Sequence, residues 1–165
     1  MKSKKGVIIT VIILAVITIA SFTVWQIPDN PKMTIVVTDF ESHLEGIDAR
    51  HQVITNAVDN SFLKMINGDI MPDEMISIAE ISSSQINSQI IELVESDAPD
   101  EWQKRYINYL ESLRSSNSYI REIIALSNLT IENPQNDQIE EILTKIEKLQ
   151  HESDEYAKFS FDSKP

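Results

Sequence analysis

Residues 39–67 read DFESHLEGIDARHQVITNAVDNSFLKMIN. Apolar side chains recur along this stretch at Phe40, Leu44, Ile47, Ile54, Val58, Phe62 and Met65, with Val37 just before it. Steps of three and four put them on one face of an α-helix, because ~3.6 residues complete a turn. Thr38-Asp39-Phe40-Glu41 reads as a capping box. In such a box the Thr38 hydroxyl accepts from the third amide and Glu41 reaches back. Asn67-Gly68 supplies the stop. Gly46, inside the helix, costs ~1 kcal/mol and marks a place for a bend.

The same pattern recurs three more times. A second helix opens at Pro72, followed by Asp73 and Glu74, a proline and two acids suited to a first turn. Its stripe is Met75, Ile78, Ala79, Ile86, Ile90 and Leu93. Ser96 to Pro99 separate it from a third helix with the stripe Trp102, Tyr106, Tyr109, Leu113, Ile120, Ile124 and Ser127. The aromatic run in this third stripe reads first as core. A break at residues 131–134 precedes a fourth helix over 135–159, with Ile139, Ile142, Ile146, Leu149, Ser153 and Tyr156 on one face. Four amphipathic helices of ~23–29 residues with short connections predict an all-α domain, an antiparallel four-helix bundle over residues 38–159. The chain's three glycines are too few for the turns of a β-sandwich. Residues 160–165 read as a flexible end.

Upstream of the bundle, Gly6 to Ile27 carries no charged residue. As a helix this segment spans ~33 Å, enough for a bilayer core of ~30 Å. Lys2, Lys4 and Lys5 precede it, and all 26 acidic residues follow it. That lysine bias predicts a cytoplasmic tail at 1–5, a transmembrane anchor at 6–27, a linker at 28–37 and a domain outside the cytoplasm. Trp25, near the outer end, suits the interface. The expected location is the plasma membrane, in a single pass. The alternative is secretion after signal cleavage, although Thr18-Ile19-Ala20 is a poor cleavage site. Lys4-Lys5-Gly6-Val7-Ile8-Ile9-Thr10, with Ser21-Phe22 and Trp25, resembles the N-terminus of uncharacterised small archaeal single-pass membrane-anchored proteins. The resemblance is limited to the anchor and implies placement at the cell surface.

Beyond Pro28 there are 11 basic and 26 acidic side chains. So acidic a domain repels nucleic acid and anionic lipid surfaces, so no nucleic-acid partner is expected. The absence of cysteine removes disulfides, thiol nucleophiles and thiolate metal sites. No phosphate loop, nucleophile elbow, zinc-protease motif or calcium loop is present. Asp48-Ala49-Arg50-His51 is one carboxylate-x-x-histidine pair, with Asp in place of Glu, and no second pair of that form exists. A bridged metal site needs two, so no metal and no cofactor is expected.

One polar interruption stands out. His51 takes a stripe position between Ile47 and Ile54. The second stripe is interrupted at Ser82, with Gln85 beside it, and the third at Ser116 and Asn117. All fall near mid-height of an antiparallel bundle. They read either as a hydrogen-bonded layer that fixes register or as a pocket for a polar ligand. Buried His51 needs a partner, expected among Ser82, Gln85, Ser116 and Asn117. Asn128-Leu129-Thr130 matches a glycosylation sequon. Two functions follow as expectations. One is a non-enzymatic, membrane-anchored interaction or structural module with a protein partner. The other is a sensory or small-ligand-binding ectodomain that acts through a partner, since a five-residue tail cannot signal alone.

Overall fold

The computed structural model describes residues 37–133 and 135–163. They form four helices in chain order: α1 (Phe40–Ile66), α2 (Pro72–Glu95), α3 (Asp100–Glu132) and α4 (Gln138–Asp162). The helices pack as a bundle with alternating direction. From Arg105 through Ser112 to Glu122 on α3, the partners on α4 step back from Ser160 through Ser153 to Lys145. His43, early in α1, meets Tyr106 early in α3 and Glu92 late in α2.

The helix ends follow local chemistry. The N-cap of α1 is Asp39, not Thr38: its carboxylate accepts from the amides of Glu41 and Ser42, both at 3.1 Å. A carboxylate at the positive end of a helix does better than a hydroxyl. At the other end Gly68 has φ +79°. Its amide donates to the Met65 carbonyl and that of Asp69 to Lys64, the paired closure that favours glycine there. Pro72 is the first residue of α2, as expected. Helix α4 starts three residues later than the sequence pattern places it. Asn133 and Asn136 intervene, their side chains accepting from the amides of Gln135 and Gln138, which favours turns over helix.

In place of a loose end from residue 160, α4 continues to Asp162. Ser160 is buried and donates to the Arg105 carbonyl at 2.8 Å. Phe161 sets its ring edge-on to Tyr109, 6.0 Å between centroids. Those contacts hold the last turn that composition alone leaves unpaired.

Leu44, Ile47 and Val58 of α1, Met75, Ala79 and Ile86 of α2, Leu113, Ile120 and Ile123 of α3, and Ile146 of α4 make the core. Each large aliphatic side chain contributes ~1.5–3 kcal/mol by leaving water. Helix α3 is central and buries two faces. A single stripe therefore describes it poorly, and Ser112, Tyr119, Ile123 and Leu126 are buried beside the expected residues. Arg105 is also fully buried. Its guanidinium lies 5.2 Å from the Trp102 ring and 5.0 Å from Phe161, with Glu41 3.7 Å away. Cation–π contact on two sides is strengthened when water is excluded.

Packing is uneven around the bundle. Helices α3 and α4 pack most extensively, and small Ser112, Ser116 and Ser153 line their seam. Helix α1 stands off. Among the described residues, no Cα of α1 lies within 8 Å of one in α4. The two helices are separated by an open groove. The expected anchor at 6–27, its cytoplasmic tail and all but the last residue of the linker lie outside the described residues. Among the described residues no helix is long and apolar enough to cross a membrane.

Candidate functional site

The groove between α1 and α4 is floored by α3. His51, on the inner face of α1, is 6% exposed. Both ring nitrogens are engaged, Nδ1 at 3.0 Å from the Tyr109 hydroxyl and Nε2 at 2.6 Å from Ser116 Oγ. The order of donors follows from the far end. Tyr109 lies 2.8 Å from Asp48 Oδ1, and a carboxylate only accepts, so Tyr109 donates to it. The Tyr109 oxygen then accepts from His51 Nδ1–H. That leaves the Nε2 lone pair to accept from Ser116. Ser153 extends the row, 2.7 Å from Ser116 Oγ and 3.0 Å from the Ser112 carbonyl.

The surroundings tune these groups. Burial pulls the His51 pKa down to about 4, only partly opposed by the Asp48 charge. Tyr109 is pushed well above the usual phenol range by burial and by the Asp48 carboxylate it faces. His51 is therefore neutral at pH 7 and works as a fixed hydrogen-bonding element. The Ser116–His51 contact has the shape of a nucleophile and its base. However, Ser116 is in the middle of α3, where backbone amides are spent in the helix and none is free to hold an oxyanion. A histidine that stays neutral down to about pH 4 is also a weak base.

Outside this buried row the groove opens to about 540 Å³. Asp48, Asp59 and Asp154 line it, together with Gln52, Thr55, Asn56, Gln150 and Tyr119. Gln52 Nε2 donates to Asp48 Oδ2 at 2.9 Å, and Gln150 Nε2 to Asp59 Oδ1 at 2.8 Å. Asp59 has its pKa raised by burial and by the Asp154 charge, against the hydrogen bonds from Gln150 and Tyr119. Tyr119 is pushed far up by burial and by the charges of Asp59 and Asp154. It is 2% exposed, and its hydroxyl is directed at the Asp59 carboxylate. Among the described residues no three His, Cys, Asp or Glu side chains converge as a metal site.

Of the five residues expected to form one polar layer, the structure joins His51 and Ser116. Ser82 and Gln85 line a different cleft, between α1 and α2, with Ala49, Val53, Ile54 and Ala57. Asn117 lies on the α2–α3 seam, where its Oδ1 accepts from Ser83 at 2.6 Å and its Nδ2 donates to Asn87 at 3.0 Å. Adjacent helical positions point ~100° apart, and here Ser116 faces His51 while Asn117 faces α2. Asn128 is exposed near the end of α3 and donates to the Ile124 carbonyl at 2.9 Å.

Several lining groups escape the sequence pattern. Tyr109 reads as core, and the hydroxyl that ties it to Asp48 and His51 leaves no trace in periodicity. Asp48, Thr55 and Asp59 recur at steps of seven and four along one edge of the α1 stripe. That spacing is a usable signal for a polar groove wall. Compared with protein-family models, with curated proteins and with solved structures, the chain matches none of them.

Proposed function

We propose that this chain is a membrane-anchored, extracytoplasmic helical bundle that binds a small polar ligand in the groove between α1 and α4 and acts through a partner. The groove carries the reading. It is large enough for a small molecule, its floor is a rigid hydrogen-bonded row, and its walls present donors and acceptors. The helix on one side of it stands off from the other, so a ligand that bridges both alters how α1 sits. The uncharged stretch Gly6–Ile27 lies upstream of α1 in sequence, across the expected linker, and supports the anchor part of the proposal.

Two measurements test the two parts. Native membranes washed with alkaline carbonate should retain the full chain, and its release would remove the anchor. A thermal-shift screen of polar metabolites on the full chain in detergent should find at least one that raises Tm by ~5 °C at saturating concentration. Thr55→Trp, which fills the groove, should abolish that shift. A ligand whose shift survives Thr55→Trp would place binding elsewhere.

A second reading, an interaction module for a protein partner, is favoured by the α1–α2 side. There Ala49, Val53, Ile54 and Ala57 of α1 line a cleft of about 630 Å³ opposite Ser82, Gln85 and Gln89 of α2, and Val53 is 70% exposed.

A further inference from the structure

We propose a second binding site, in the cleft between α1 and α2, for a small uncharged molecule with an apolar body and one amide edge, an N–H and a C=O side by side. It is separate from the α1–α4 groove and does not depend on it.

Gln89 carries the inference. The buried positions of α2 run Met75, Ala79, Ser82, Ile86, Gln89 and Leu93. Steps of four and three mark one inward face, where an apolar side chain is the ordinary choice. Gln89 is a carboxamide instead. It is 4% exposed, and its Oε1 is buried without a hydrogen-bond partner. Among the described residues nothing bonds its Nε2 either. A glutamine that serves only packing ordinarily spends its amide on a neighbour, because an unmet buried carbonyl is costly. Gln89 lines the cleft with both ends unspent. Its last torsion is soft, so its amide edge turns to a ligand without losing a hydrogen bond.

The rest of the cleft sets the class of ligand. Its volume is about 630 Å³, inside the ~300–1,000 Å³ range of small-molecule sites. Ala49, Val53, Ile54 and Ala57 give it an apolar wall on α1. The two charged groups in its lining, Arg50 and Glu92, are spent on each other. One guanidinium nitrogen lies 2.8 and 2.9 Å from the two carboxylate oxygens. Glu92 also meets His43. A charged ligand has to compete with that pair, whereas a neutral one leaves it intact. A carboxamide is complementary to a second amide edge. The ligand N–H donates to Oε1, Nε2–H donates to the ligand C=O, and the apolar body lies against the α1 wall.

The test is a titration of the full chain in detergent, followed on its side-chain amide NMR signals. Three matched probes are used: caprolactam, N-methylcaprolactam, which lacks the N–H, and aminohexanoate, the ring-opened form charged at both ends. The signals that Gln89→Met removes belong to Gln89. Caprolactam should shift them and bind about tenfold more tightly than either of the others. Gln89→Met should keep or raise Tm, since the amide has no partner to lose, and weaken caprolactam binding about tenfold. Val53→Trp, a change at an exposed position of the α1 wall, should abolish binding, and Thr55→Trp in the other groove should leave it. Equal binding of N-methylcaprolactam or aminohexanoate would overturn the amide assignment. So would caprolactam binding that is indifferent to Gln89→Met, that survives Val53→Trp, or that is lost only in Thr55→Trp. No binding by any of the three would overturn the site itself. A fall in Tm of ~5 °C in Gln89→Met would show that the amide serves the fold and would also overturn it.

Discussion

Tyr109→Ala is expected to lower the unfolding free energy by about 4 kcal/mol, and Tyr109→Phe by about 2 kcal/mol. The ring is fully buried and packs edge-on to both His51 and Phe161, with centroids 5.8 and 6.0 Å away. Removing it opens a cavity where α1, α3 and α4 meet. The hydroxyl adds a separate contribution, because it links Asp48 Oδ1 to His51 Nδ1. In the phenylalanine variant the cavity is absent, and two polar groups lose a partner. Asp48 keeps the Gln52 amide and can reach water. His51 Nδ1 has no alternative within the bundle. Denaturant unfolding of the two variants beside the parent measures the difference. Equal losses for both would assign the whole effect to hydrogen bonding, and no loss for Tyr109→Phe would mean that the row is not formed.

Acid should weaken the fold once pH falls below the ordinary histidine value. The unfolded chain protonates His51 near pH 6.5, whereas the folded chain holds it neutral down to about 4 because burial disfavours the charge. Between these values the unfolded state binds the extra proton, so stability falls as pH falls. At pH 4.5 the loss from this one group is about 2–3 kcal/mol relative to pH 7. Asp59 acts with the opposite sign. Its folded pKa is raised, so the folded state takes up the proton first and the fold gains a little as pH drops toward the ordinary aspartate value. Asp39 is lowered by the amide and hydroxyl of Ser42, and its cap weakens only at more acid pH. Unfolding midpoints at pH 7 and 4.5 should therefore converge in His51→Gln and stay apart in the parent. A parent with the same midpoint at both values would contradict a buried neutral histidine.

The bundle was legible because its signals are local. Pro72, the Asn67-Gly68 stop and the spacing of Leu44, Ile47, Ile54 and Val58 each act within a few residues, and the structure places them accordingly. Two ends were misplaced where a polar side chain chose between helix and turn, at Asp39 and at Asn133 and Asn136. The end of α4 was misread because Ser160 and Phe161 are held by Arg105 and Tyr109, residues about fifty positions away in sequence.

The site divides the same way. His51 announced itself by interrupting an apolar stripe, and Ser116 by interrupting another at matching height. Ser82, Gln85 and Asn117 interrupted the pattern equally well but point to other seams. Height along a bundle follows from counting residues, whereas rotation depends on how each helix is turned. The groove itself was invisible. It exists because α1 stands off from α4, and nothing in either amphipathic stripe encodes that gap.

The most direct test of the account is a long-range proton–nitrogen NMR spectrum of the His51 ring in the full chain, followed from pH 8 down to 4. The row from Asp48 through Tyr109 to Ser116 predicts one neutral form throughout most of that range. Its proton sits on Nδ1, its Nε2 is an acceptor, and protonation begins only close to 4. A ring that averages between tautomers and titrates near 6.5 would mean that His51 is open to water and that the groove has no such floor.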